Sequence, residues 1–145
     1  MGTLQLPLRN IGHLIPQKWP FVMVDTLLQF SAEFVVSSFK VLEDNIFLKE
    51  GHLLEVGLIE NMAQTVALHT GFDYSIKGAK APIGYIGAIK KAEVYALPCL
   101  NDIITTKVNI LHEFNGFTMV AVEVVNAHGE KLASAEMKTV IVADA

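Results

Sequence analysis

The stretch EGHLLEVGLIENMAQTVALHTG, Glu50 to Gly71, decides how the chain is read. From Leu53 to Thr70 it is rich in Ala, Leu, Met, Gln and Glu, all good helix formers, and Gly71 follows where a left-handed C′ residue closes a helix. One long helix is therefore expected over Leu53–Thr70. Stepping about 100° per residue from Glu60, the residues Leu58, Ile59, Met62, Ala63, Val66 and Ala67 sweep an apolar arc wider than half the circumference. A helix with such an arc is buried on most sides, and Glu60 lies within it. A carboxylate removed from water without a partner costs on the order of several kcal/mol, so Glu60 needs either a partner, a proton or a task.

On both sides of this helix the pattern changes to β. FVMVDTLLQF and EFVVSSFKVL are β-branched and aromatic runs separated at Ser31-Ala32, which predicts a hairpin, with Pro20 starting the first strand. The Gly/Pro-containing SIKGAKAPIG, Ser75 to Gly84, reads as a loop. After it, IGYIGAIKKAEVYAL, NDIITTKVNILHEF, GFTMVAVEVVNA and KLASAEMKTVIV are joined by Asn115-Gly116 and His128-Gly129-Glu130, turn signals that predict an antiparallel meander. One buried helix with a long antiparallel sheet wrapped around it is an α+β architecture.

A chain of 145 residues that is 52% hydrophobic suits one domain, residues 1–145, with a sizeable core. The first residues lack the basic start and unbroken apolar segment of a signal peptide, and no run approaches the roughly 18 to 20 apolar residues of a membrane span, so a soluble, cytoplasmic protein is expected. The one cysteine, Cys99, has no internal disulfide partner, and no ligand spacing for zinc exists. A net charge of −4 without a basic, aromatic-interleaved patch argues against nucleic acid. The apolar excess points to a subunit interface or an apolar ligand channel.

Three segments carry a likeness to a known family. LIPQKWPFVMVDTLL (Leu14–Leu28), GHLLEVGLIENMAQTVALHTG (Gly51–Gly71) and GYIGAIKKAEVYALPCLNDII (Gly84–Ile104) together resemble the hotdog-fold 3-hydroxyacyl-acyl carrier protein dehydratases. The correspondence lies in a leucine-proline start leading to Pro-Phe and Val-Asp, a Gly-His loop before Ile-Glu-x-Met-Ala-Gln, and a basic strand ending in a proline turn. Three features depart from that pattern, one being that the family's Pro-Gly-Asp turn reads Pro98-Cys99-Leu100-Asn101-Asp102 here. Gln17 stands where the family has histidine, and the loop between His52 and the helix is shorter by about six residues and lacks its prolines, as in compact members of polyene-type pigment pathways.

The resemblance implies a hotdog fold and dehydration of carrier-linked 3-hydroxyacyl thioesters to trans-2-enoyl thioesters, with no cofactor and no metal. Such a reaction needs a base for the C2 proton and an acid for the departing hydroxyl. His52, near the positive end of a helix dipole, suits a neutral base, and Glu60, its pKa raised by burial, suits the acid. The helix N-terminal amides, Gly57 among them, would polarise the thioester carbonyl, and Gln64, one turn after Glu60, would orient the carboxyl. Trp19, Pro20, Phe21, Met62 and Tyr85 are candidates for an acyl channel. Lys77, Lys80, Lys90 and Lys91 are candidates for docking an acidic acyl carrier protein.

If residues 53–60 were helical, His52 and Glu60 would lie roughly 12 Å apart along the axis, too far for adjacent substrate carbons. The resemblance implies the remedy, a homodimer whose two sites each combine the loop of one subunit with the helix of the other. Two alternatives stay open: a hotdog thioesterase, in which Glu60 activates water, and a catalytically silent hotdog partner that binds a product or stabilises an active subunit.

Overall fold

The computed structural model describes residues 5–142. Its elements, in chain order, are β1 (Thr26–Phe30), β2 (Phe34–Lys40), the short β3 (Leu48–Lys49) and β4 (His52–Leu53), α1 (Glu55–Ile76), β5 (Ile83–Val94), β6 (Ile103–Phe114), β7 (Phe117–Val125) and β8 (Lys131–Val142). Six strands form one sheet in the order β1-β2-β6-β7-β8-β5, every neighbouring pair antiparallel. The helix lies across one face of it, against β2, β6 and β7. This is the α+β hotdog architecture.

The hairpins form where turn chemistry allows them. Ser31 Oγ accepts the amides of Glu33 and Phe34, each at 3.1 Å, and so closes the β1–β2 turn. Asn115 and Gly116, with φ of 47° and 81°, supply the two left-handed residues of a turn whose twist matches the flanking strands β6 and β7. Leu58, Met62 and Leu68 of the helix are fully buried with Val35, Ile104, Val108, Val120 and Met137 of the sheet. Burying such side chains contributes about 1.5–3 kcal/mol each and is the main force holding helix to sheet.

Two sequence expectations are corrected. The helix does not stop at Thr70: it passes through Gly71 and ends at Ile76, where Gly78 (φ 68°) donates to Ser75 O and Ala79 to Tyr74 O. That pair of bonds is a Schellman cap with Gly78 as its left-handed residue. Gly71 instead lets the backbone of Leu14 cross the helix, since a Cβ there would sit 1.9 Å from the Leu14 carbonyl oxygen. The first strand starts at Thr26 and not at Pro20. The main chain at Phe21 and Met23 is bonded by helix side chains, so it has no need of a neighbouring strand.

Strand β5 lies at one edge of the sheet and is exposed along nearly its whole length, with Ile83, Tyr85, Ile86, Ile89 and Val94 all large, apolar and accessible. A long unpaired apolar edge is a template for another strand. A gap opens between the helix and this strand, bordered by Ala63 and Ala67 on one side and Ile83 and Tyr85 on the other. Among the described residues, no helix is long and apolar enough to cross a membrane.

Candidate active site

The gap between helix and sheet is a cavity of about 500 Å³. Its apolar walls include Ala63, Val66 and Ala67 of α1 and Val108, Ile110 and Val120 of the sheet, and Glu60 and Tyr85 also line it. The arc of a helix expected to be buried on most sides splits: Leu58 and Met62 enter the core, while the small residues on the adjoining stripe wall the cavity.

Glu60 is half-buried, because the cavity opens beside it, and it is not enclosed as its apolar sequence neighbours suggest. Its Oε2 accepts a hydrogen bond from Gln64 Nε2 at 2.9 Å. Gln64 is itself fully buried and fully used. Its Nε2 also donates to Phe21 O at 2.8 Å, and its Oε1 accepts from Met23 N at 2.6 Å. One turn earlier, Asn61 Nδ2 donates to Met23 O at 2.7 Å while Asn61 Oδ1 accepts from Thr106 Oγ1. Two side-chain amides thus do for the loop what a neighbouring strand would do, and the carboxyl of Glu60 is oriented by a group that is itself immobilised. Gln64→Leu leaves the Met23 amide and the Phe21 carbonyl without their partner, and about 2–4 kcal/mol of stability should be lost. Chemical denaturation would read this as a lower midpoint with an unchanged slope.

His52 is exposed on β4, whose backbone also bridges to Cys99. Its Nδ1 lies 3.1 Å from Glu50 O. A carbonyl can only accept, so the neutral ring carries its proton on Nδ1 and presents Nε2 as the basic nitrogen. His52 belongs to a more open cleft lined also by Lys49, Glu50, Leu54, Ala96 and Leu97, separate from the cavity that holds Glu60. Within one chain the two groups are not brought together.

The remaining candidates divide. The amide of Gly57 donates to Leu54 O at 2.9 Å, within the first turn of the helix. Its missing side chain serves packing, since a Cβ would meet Leu53 Cδ1 at 2.6 Å and Phe47 Cβ at 3.3 Å. The amides that helix geometry leaves unpaired are those of Glu55 and Val56, at the first two positions of α1. Of the five channel candidates, Tyr85 lines the cavity. Met62 is fully buried in the core, Pro20 is half-buried, and Trp19 and Phe21 are exposed, 75% and 50%, on the loop held by Gln64. Sequence reasoning favoured large aromatics and overlooked Ala63, Ala67 and the sheet valines, which become neighbours only through the fold.

Among the lysines, Lys77 pairs with Asp73 at 2.8 Å and Lys91 with Glu136 at 3.2 Å, both surface ion pairs of small energetic weight. The Asp73 carboxylate, by its hydrogen bond and its charge, raises the pKa of Lys77. Lys80 lines the cavity and Lys90 is exposed on β5. His69 is structural: its Nε2 lies 2.8 Å from Ser31 O and its ring stacks on Phe30 at 4.9 Å. Among the described residues there is no cluster of His, Cys, Asp and Glu able to hold a metal ion.

Comparison with known proteins bears on this arrangement. Residues 9–145 match the family model described as ApeP-like, ApeP dehydratase. The chain is 27% identical over 142 residues to the 3-hydroxyacyl-(acyl-carrier-protein) dehydratase FabZ of Clostridium botulinum, covering 94% of this chain and 96% of that one. In structure it is similar to the dehydratase heterocomplex ApeI:P from Xenorhabdus doucetiae, with a TM-score of 0.86 and 19% identity over 97% of this chain and 94% of that one. It is also similar to a hypothetical thioesterase from Streptococcus pneumoniae solved with coenzyme A, with a TM-score of 0.65 and 15% identity over 81% and 85% of the two chains. At these identities the two structural likenesses speak for the fold.

Proposed function

The chain belongs to the ApeP-like dehydratase family, and from that premise we propose that it dehydrates 3-hydroxyacyl thioesters held on an acyl carrier protein to trans-2-enoyl thioesters. The observation that carries the reading is Glu60, a carboxyl oriented by Gln64 and set at the wall of an apolar cavity. In the proposed reaction His52 Nε2 takes the C2 proton and the C2–H electron pair becomes the C2–C3 double bond. The C3–O bond breaks as Glu60 gives its proton to the hydroxyl, which leaves as water. Amides at the start of α1 hold the charge that develops on the thioester oxygen, and two protein groups complete the reaction without a cofactor.

Because His52 lines a different cleft from Glu60 in one chain, each site takes His52 of the partner subunit. The apolar β5, paired with β8 on one side and free on its outer edge, supports this arrangement, since pairing that edge with the same strand of a second copy covers it and gives a symmetric homodimer with two sites. Lys80, at the cavity wall, and the exposed Lys90 offer basic groups to a carrier, in a cytoplasmic setting.

The same separation of His52 from Glu60 favours one other reading, in which β5 pairs with a different hotdog chain and this subunit supports that partner's site. The similarity to the ApeI:P heterocomplex speaks for it. Mass spectrometry on a panel of carrier-linked 3-hydroxyacyl chains distinguishes the outcomes. Loss of one water with the thioester intact is the expected result for the purified chain alone. Activity appearing only after a second hotdog subunit is added supports the heteromeric reading, and free thiol released from hydroxylated and saturated chains alike marks a thioesterase.

A further inference from the structure

The cavity beside Glu60 has a length and a direction. Glu60, Ala63, Ala67 and Thr70 all line it, and at about 100° per residue they fall within about 80° of the helix circumference, in one row along α1. At a rise of about 1.5 Å per residue, Ala63, Ala67 and Thr70 stand about 4.5, 10.5 and 15 Å beyond Glu60.

The sheet gives the same space an apolar wall and a polar end. Ile110 of β6 and Val120 of β7 are paired and both line it. Two residues from Val120 along β7 stands Thr118, paired with Glu113 of β6 and Thr139 of β8, and these three line the cavity as well. That row lies toward the C-terminal end of the helix. Thr106, earlier on β6, bonds Asn61 beside Glu60, whereas the charge of Glu113 reaches Lys77 just past Ile76. The far end of the cavity is thus made of hydroxyl and carboxylate groups that are partly or wholly exposed to water.

We propose that the acyl chain lies along α1 with C3 at Glu60 and its tail toward Thr70, and that Ala63 and Ala67, by their small size, set the longest chain the cavity takes. The placing of C3 rests on the dehydratase reading. An extended alkyl chain advances about 1.2 Å per bond, a third of the length of an extended residue with its three backbone bonds. The distance of about 15 Å to Thr70 therefore holds about twelve carbons past C3, and each carbon buried adds affinity until the tail meets the polar row. A longer side chain at residue 63 or 67 crosses that path and stops the chain after about four or nine carbons. Both alanines are half-buried at the cavity wall, so the added atoms enter open space and not packed core.

The test measures binding and needs no turnover. Calorimetric titration compares pantetheine analogues from 3-hydroxyhexanoyl to 3-hydroxyhexadecanoyl, with the thioester replaced by an unreactive amide, on the native protein, Ala63→Leu and Ala67→Leu. The native affinity should rise about tenfold per two-carbon step and level off at about fifteen carbons. Ala63→Leu should level off at about seven carbons and Ala67→Leu at about twelve, with the six-carbon analogue bound as by the native protein. Ala63→Val and Ala67→Val should give the same order, and they carry the comparison where leucine prevents folding. One common cutoff for both positions, the reverse order, or a ladder unchanged from the native one overturns the proposal. The predicted ladder in a chain that dehydrates no 3-hydroxyacyl thioester would instead overturn the reaction assigned above and leave Ala63 and Ala67 as the residues that set chain length.

Discussion

Glu60→Gln should lower the dehydration rate by about 10²–10⁴-fold, the range that one positioned general acid supplies, while the thermal midpoint moves by no more than a few degrees. The two effects separate because of the surroundings of Glu60. Its bonded oxygen accepts from Gln64 Nε2, and a glutamine oxygen at residue 60 can accept the same bond. The side chain is only half-buried, so the new amide protons reach solvent or the cavity. What the amide cannot do is deliver a proton to a leaving hydroxyl. Turnover by mass spectrometry together with calorimetric melting checks both halves, and retained turnover removes Glu60 from the acid's role.

A large effect on stability is also expected at Gly71. In Gly71→Ala the new Cβ would lie 1.9 Å from Leu14 O, 2.8 Å from Leu14 C and 3.1 Å from Leu14 Cα. All three are backbone atoms, so no rotamer change relieves the contact. Leu14 cannot simply lift away, because Ile11, Leu14 and Ile15 are all buried in the core. Overpacking of this kind costs about 3 kcal/mol or more, and the roughly 1 kcal/mol that alanine gains in a helix offsets only part of it. The midpoint should fall by about 5–10 °C. At Gly78, where φ is 68° and nothing lies within 4 Å of an added Cβ, alanine should cost only about 1 kcal/mol. Melting curves of the two variants would show the order directly; equal small losses would mean that the Leu14 segment yields easily.

The Gly71 case shows why parts of the fold were legible and others were not. Ser31-Ala32 and Asn115-Gly116 mark hairpins because a turn's requirements are local, and each stands between β-rich runs. The helix is legible from composition over residues 55–70, but its ends are not: Leu53, expected inside it, pairs in β4, and the helix runs on to Ile76. A glycine that caps and a glycine at which another backbone crosses look the same in sequence, and the second is set by Leu14, far away along the chain. Gly57 misleads in the same way, since its closeness to Leu53 and Phe47 carries no local signal.

The candidate site divides along the same line. Spacing on one helix connects Glu60 and Gln64, but the bonds of Gln64 to Phe21 and Met23 span more than forty positions and needed the fold. The cavity is walled by small and β-branched residues of several elements, which no periodicity distinguishes from core. Gln17, another lining residue, sits where the family resemblance shows a departure, a signal that could have directed attention there.

In the proposed homodimer each active site combines Glu60 of one subunit with His52 of the other. Co-expression of His52→Ala and Glu60→Gln chains, followed by isolation of the mixed dimer, tests it most directly. Each variant alone should be inactive. In the mixed dimer, one site has lost both groups, while the other unites the intact His52 of one chain with the intact Glu60 of its partner. The predicted result is about half the native activity per dimer, as expected for one surviving site of two. A mixed dimer as inactive as its parents, beside an active native protein, would contradict the composite site.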